Sequence, residues 1–369
     1  MKKSLLVLVL LCSLSLSAMA QTKWVDATTL TICGHTLQNA KNPYSRINTK
    51  EYGFTNNAIN SYSRYSTGLY VIFKTNSKRI MADWTLSSAK QRYNARYNIT
   101  PVTQFSVDLY IKDKGEWRFC NIARVSVERE VTNFKRNLVK NMGEGEKECM
   151  LYLPLWSEVK DLKIGIDEDA TIEAIPSPYK HRVVTYGTST PHGASPSRPG
   201  LAMLARMSRD LGIEFTNFCY SGQGKMEAES ADVLADCKTD AILCYCFGNT
   251  TAKQIEERVD GFTERLVKTH PGKPIIFIRP FHTPERFFDL AKRAEYEEKF
   301  EVITRKMKAL TKRYKDVYYL DEPTAHGTDN EDTIDNSHLN DMGFDRVLKC
   351  YEPKIAKILK KYGIKTTQK

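Results

Sequence analysis

Hydrophobic positions along this chain follow two rhythms, and the change falls near its middle. From about Trp24 to Ile175, apolar and aromatic residues come in short bursts between turn residues. "GLYVIFKT" (Gly68 to Thr75), "RIMADWTLS" (Arg79 to Ser87) and "FSVDLYIKDKGEWRFCNIARVS" (Phe105 to Ser126) are rich in β-branched and aromatic side chains. Such residues suit a pleated, half-buried surface. Lys112-Asp113-Lys114-Gly115 reads as a hairpin turn between two of these strands. "ECMLYLPL" and "DLKIGID" continue the pattern, and no long stretch holds a 3.6-residue period. The expectation for this half is an antiparallel, jelly-roll-like β-sandwich.

Beyond "AIPSPYKHR" the rhythm changes. "RVVTYG", "IEFTNFCY", "DAILCYCF", "KPIIFIRP" and "DVYYLDE" read as strands. Between them lie amphipathic stretches. Leu201, Leu204, Ala205 and Met207 recur at helical spacing before Gly212, and Ile255, Val259, Phe262 and Leu266 share one face. "KMEAESADVLADC" and a long charged segment supply two more helices, and a last one runs from about Asp341 to Lys361. Strand alternating with helix predicts a parallel sheet covered by helices on both faces. Pro176 and Pro178 mark a linker between about Ile175 and Lys180. The expected domains are residues 21–178 and 179–369.

The first twenty residues read as a leader rather than as fold. Lys2 and Lys3 precede "LLVLVLLCSLSLSAMA", and Ala18-Met19-Ala20 fits a small-x-small cleavage site. The expectation is export, cleavage after Ala20, and a periplasmic or secreted product with no stable membrane insertion. Cys12 does not read as a lipidation site, because Leu11 stands where that processing needs a small residue.

The formal charge of +11 becomes +9 once Lys2 and Lys3 are removed. A basic balance admits nucleic acid, acidic glycan or anionic membrane as partners. Here the charges are spread along amphipathic helices such as "RAEYEEKFEVITRKMKALTKRYK". That distribution is a solvated face rather than a nucleic-acid patch. The eight cysteines left after Cys12 permit disulfides but show no paired Cys-x-x-Cys metal pattern. Cys244 and Cys246, two apart in an apolar run, read as buried thiols. The acidic segment "DEPTAHGTDNEDTIDN" lacks the glycine-centred spacing of an EF-hand. No metal or other cofactor is expected.

In an open parallel sheet, ligands sit outside the carboxyl ends of the strands. The residues following the expected strands are therefore the candidates for chemistry. They are Gly187-Thr188-Ser189-Thr190, Ser221-Gly222-Gln223-Gly224, Gly248-Asn249-Thr250, Arg279 with His282, and "DNSHLNDMGF" with Asp335 and His338. Together they fit acyl transfer. A serine hydroxyl needs an adjacent base to attack at neutral pH, and His338 can supply it. Asp335, three residues earlier, can hold the other ring nitrogen if the segment turns tightly. The oxyanion of a tetrahedral intermediate needs preorganised donors. The backbone N–H groups of Ser189 and Gly222 and the Asn249 amide are candidates. His192, Arg198, Arg279 and His282 fall near the expected mouth as weaker, substrate-binding candidates.

These blocks resemble the SGNH hydrolases, also called GDSL-type esterases. "YGTST", "SGQG", "FGNT" and "DNSH" occur in that family's order, and Ser189, Gly222, Asn249 and His338 fall on its four namesake residues. Thr188 stands in place of the usual aspartate, and Thr250 in place of another. "SVDLYIKDKGEWRF" is similar to the Gly-x-Asp-Leu-Tyr segment of an N-terminal β-domain in some bacterial members, with Ser106 at the glycine position. The resemblance implies a three-layer α/β/α fold and hydrolysis of an ester, often an acetyl ester on a sugar. The expected substrate is thus an acylated small molecule or oligosaccharide. Competing readings are a short-chain lipid or thioester hydrolase, and a non-catalytic glycan-binding protein that keeps the fold.

Overall fold

Alternating burial organises the N-terminal half into two facing antiparallel sheets. The structure is a computed structural model that describes residues 21–87, 98–125 and 131–367. The leader read from residues 1–20 lies outside these residues. One sheet holds, in order, β1 (Thr22–Asp26), β9 (Val159–Asp167), β4 (Ile80–Leu86) and β7 (Asn133–Val139). The other holds β10 (Ile172–Ala174), β3 (Tyr70–Thr75), β8 (Lys147–Tyr152), β5 (Asp108–Asp113) and β6 (Glu116–Ile122), with β2 (Thr31–Cys33) beside β3. In β4 every second residue, Ile80, Ala82, Trp84 and Leu86, is buried. That period of two turns one face of the sheet inward. Trp84 stacks on Phe134 at 5.2 Å inside the sandwich core.

Two short helices interrupt this half, and each is made by local capping. The Asn56 side chain accepts the Ala58 and Ile59 N–H groups at the start of α1 (Asn57–Tyr62). Thr100 caps α2 (Pro101–Phe105), where Pro101 fits the first turn. Elements of five or six residues are too short to show a period, which is why the sequence reads as strands throughout.

The C-terminal half alternates β11 (Arg182–Gly187), α3 (Ser189–His192), α4 (Met203–Leu211), β12 (Glu214–Cys219), α5 (Ala228–Asp236), β13 (Ala241–Tyr245), α6 (Ala252–Thr269), β14 (Ile275–Ile278), α7 (Leu290–Arg313), β15 (Val317–Leu320) and α8 (Asp341–Lys360). The five strands are parallel in the order β12-β11-β13-β14-β15. Val184, Tyr186 and Phe218 pack on α5, α6 and α7, whereas Val183, Phe215 and Leu243 pack on α4 and α8. Helices thus cover both faces. The connections diverge between β11 and β13, which is where such sheets open a crevice for ligands.

The two halves share a core. Ile47, Ile59, Tyr62, Leu155 and Trp156 from the β-sandwich side belong to the same apolar cluster as Val184 and Phe218. Polar groups lock the seam. Arg46, almost fully buried, donates to the Asn217 and Cys219 carbonyls at 3.1 and 3.0 Å and to Tyr62 O at 2.6 Å. Asp108, in the Asp-Leu-Tyr segment, accepts the Gly200 N–H at 2.8 Å and Arg198 at 2.9 Å. That motif is a docking element. The expectation had left disulfides possible, but the eight cysteines from Cys33 to Cys350 are free thiols and most are buried. No helix among the described residues is long and apolar enough to cross a membrane.

Candidate active site

Ser189 stands where β11 ends, as the first residue of the one-turn helix α3. The sequence reading put it in a loop, since four residues carry no periodic signal. Its backbone N–H has no intrahelical partner at that position. The neighbouring loop comes close because Gly224 (φ +73°) lets its backbone approach Gly187; a Cβ there would sit 2.3 Å from the Gly187 carbonyl oxygen. Gly222 (φ +74°) has open space around its Cα, so its constraint is the left-handed backbone alone.

The "DNSH" segment folds as a tight turn ahead of α8. Ile334 N–H donates to His338 O and Asn340 N–H to Asp332 O, both at 2.9 Å, and Asn340 caps the helix through Gly343. Asp335 Oδ1 accepts the Ser337 and His338 N–H groups at 3.0 and 2.7 Å. This closure brings residues three apart face to face. His338 Nδ1 lies 2.7 Å from Asp335 Oδ2, and His338 Nε2 lies 3.0 Å from Ser189 Oγ. Burial works against the Asp335 charge, but the hydrogen bonds from the His338 ring and the turn backbone outweigh it and hold the carboxyl below its ordinary value.

The serine and histidine open into a cavity of about 290 Å³ whose wall includes Gly222, Tyr245, Asn249 and Phe281. Asn249 Nδ2 donates to Gln223 O at 3.0 Å, tying the second and third loops together. Lys299, pushed down to about 8 by burial, donates to Gly248 O at 2.9 Å and braces the third loop from behind. Among the described residues no group of three or more His, Cys, Asp or Glu side chains is arranged to hold a metal ion.

Ser189, Gly222, Asn249, Asp335 and His338 are therefore brought together, whereas the four weaker candidates are not. His192 is fully buried, stacks on Trp156 at 4.2 Å and accepts the Ser221 N–H at 3.0 Å, which fixes the loop carrying Gly222. Arg198 is spent on Asp108 and Tyr110. Arg279 pairs with Asp321 at 2.5 Å and lies over Phe300. His282 accepts from Arg286 and packs on Phe300. None of the four lines the cavity.

Sequence reasoning missed one residue at the centre of the site. The Asn98 side-chain amide, from the N-terminal half, lies 2.8 Å from His338 Nδ1. A lone asparagine in a strand-rich half carries no pattern that points 240 residues onward.

His282 gives a pH prediction. Burial and the neighbouring Arg286 and Arg279 push it down to about 3, below its ordinary 6.5. The fold thus favours the neutral ring. Its contribution is complete above about pH 6.5 and is lost as pH falls toward 3. A His282→Gln variant should show a flatter decline of melting temperature between pH 6.5 and 4 than the parent. Equal slopes in the two unfolding series would contradict this.

Residues 180–356 match the GDSL-like lipase/acylhydrolase family, and residues 22–172 match the N-terminal domain of SGNH hydrolase-type esterases. The crystal structure of a protein described as a GDSL-like lipase from Bacteroides ovatus is 38% identical, with a TM-score of 0.86 over 92% of this chain and 98% of that one. The salicylyl-acyltransferase SsfX3 of a tetracycline biosynthetic pathway is 16% identical (TM-score 0.66, 93% and 98% covered). A family two carbohydrate esterase from Cellvibrio japonicus is 12% identical (TM-score 0.60, 92% and 98% covered). At those identities the last two show a common fold alone. No curated protein sequence matches. With its strand-end serine facing a histidine, and with 38% identity across nearly the whole length of one relative, the chain belongs to the GDSL-like lipase/acylhydrolase family and is a carboxylic ester hydrolase.

Proposed function

We propose that the protein is an exported serine esterase that removes O-acetyl groups from carbohydrate through an acyl-enzyme. The observation that carries the reading is the continuous Ser189–His338–Asp335 relay at 3.0 and 2.7 Å opening into the cavity. His338 Nε2 takes the Ser189 proton as Oγ attacks the ester carbonyl. Asp335 fixes the tautomer with the proton on Nδ1 and offsets the imidazolium charge. The oxyanion meets the backbone N–H groups of Ser189 and Gly222 and the second N–H of Asn249, whose first is given to Gln223. His338 then protonates the sugar hydroxyl as it leaves. Water, activated by the same ring, attacks the acyl-serine and frees acetate.

The acetyl assignment rests on the family resemblance, and the size of the cavity is compatible with it. Tyr245, Pro280, Phe281 and Tyr296 close a space of about 290 Å³, which suits a short acyl chain and not a long one. The carbohydrate assignment rests on the shared architecture with the Cellvibrio japonicus carbohydrate esterase. The test is release of acetate from a panel of acetylated oligosaccharides, run beside p-nitrophenyl acetate and butyrate. Faster turnover of acetyl sugars than of either nitrophenyl ester is expected. Activity on butyrate alone would move the substrate to short-chain lipid.

The partners of the relay are expected to differ in weight. His338→Ala removes the base and should cost on the order of 10³-fold or more in kcat. Asp335→Asn keeps an oxygen at the ring but loses the charge, so its cost should be smaller. Negligible effects of both in initial-rate assays would place the base elsewhere.

A further inference from the structure

Among the described residues, Asn98 is the one side chain hydrogen-bonded to the His338 ring that the family blocks do not supply. Its amide lies 2.8 Å from His338 Nδ1, the nitrogen that also faces Asp335 Oδ2 at 2.7 Å. Asn98 is 6% exposed, and its carbonyl accepts the Ser195 hydroxyl at 3.1 Å, so its backbone is tied to the catalytic half. One proton must serve this crowded nitrogen. Asp335 is held ionised and only accepts, so Nδ1 carries the hydrogen. A side-chain NH₂ facing an N–H makes no bond. Which way a side-chain amide points is decided by its hydrogen-bond partners. The orientation that fits presents Oδ1, making Asn98 a second acceptor of the same N–H.

We propose that Asn98 is a positioning residue for His338, and that the N-terminal domain thereby completes the catalytic site. This rests on the Ser189–His338 reading above. A bifurcated N–H fixes the ring plane from two sides and favours the tautomer whose Nε2 is left to accept the Ser189 proton. Asn98 touches no reacting atom and acts only through the ring. The Gly-x-Asp-Leu-Tyr-type segment then has a purpose beyond docking. Asp108 and Arg46 hold the sandwich on the sheet, and that registry sets where Asn98 falls.

The test uses the full chain and compares Asn98→Ala and Asn98→Asp with Ser189→Ala. Asn98→Ala should lower kcat about tenfold at unchanged KM, and move the acid limb of kcat/KM to lower pH, since the imidazolium loses an acceptor. Asn98→Asp is nearly isosteric and guards against a folding defect. Its added charge favours the imidazolium, so the acid limb should move up by about one pH unit. The proton resonance of His338 Nδ1–H should shift in both variants. Loss of kcat with no shift of the limb or the resonance would make Asn98 merely structural and overturn the proposal. So would parental kinetics in both variants. If Ser189→Ala stays active, the serine reading itself fails, a result distinct from either.

Discussion

Replacing Ser189 by alanine is expected to lower the esterase rate by about 10³-fold or more and to leave the fold intact. The change deletes one hydroxyl. Its oxygen faces His338 Nε2 at 3.0 Å at the mouth of the cavity, and the apolar packing of β11 lies behind it. The helical turn from Ser189 is held by the His192 N–H to Thr188 O and by the Gly193 and Ala194 N–H groups to Ser189 O, backbone bonds that alanine preserves. The loss should therefore appear in kcat, with circular dichroism and melting temperature unchanged. A variant that hydrolyses p-nitrophenyl acetate at the parental rate would remove Ser189 from the mechanism.

The second large effect is expected from deleting the N-terminal domain. A chain starting at Tyr179 keeps Ser189, Asp335 and His338, yet it should be poorly soluble or at least about 100-fold less active. Two causes act together. The cut exposes Trp156-facing and Tyr62-facing apolar surface around His192, and it leaves the Asn217 and Cys219 carbonyls without Arg46. Buried acceptors stripped of a charged donor are costly. The strand β12 that carries them leads directly to Ser221 and Gly222, so a displacement of about 1 Å there reaches the oxyanion donors and can cost 10²-fold. A truncated chain that is soluble, folded and as fast as the parent on a small ester would show the β-domain to be an accessory module.

Most of the catalytic half was legible because its signals are local. A strand buried on both faces reads as a continuous apolar run, and α6 announces itself through Ile255, Val259, Phe262 and Leu266 with Thr251 as its cap. The site blocks follow strand ends, where parallel sheets present their loops. What stayed hidden depends on distance in sequence. β7 buries only Phe134 and Leu138 among charged and amide residues, too sparse a pattern to stand out. Arg198, Arg279 and His282 lie near the mouth in sequence, but the acids Asp108 and Asp321, aromatic rings and another arginine claim them. His192, a substrate-binding candidate by its place in the sequence, is instead a buried brace between Trp156 and Ser221. Asn98 belongs to the same class, since only the packing of two domains brings it to His338.

The central claim is that Ser189 carries the acyl group during turnover. It is tested most directly by stoichiometric reaction of the full chain with a fluorophosphonate, followed by intact mass and peptide mapping. The account predicts one adduct per chain on Ser189, activity falling in proportion to labelling, and much slower labelling of a His338→Ala variant. An adduct on another residue, or undiminished activity with Ser189 fully modified, would contradict it.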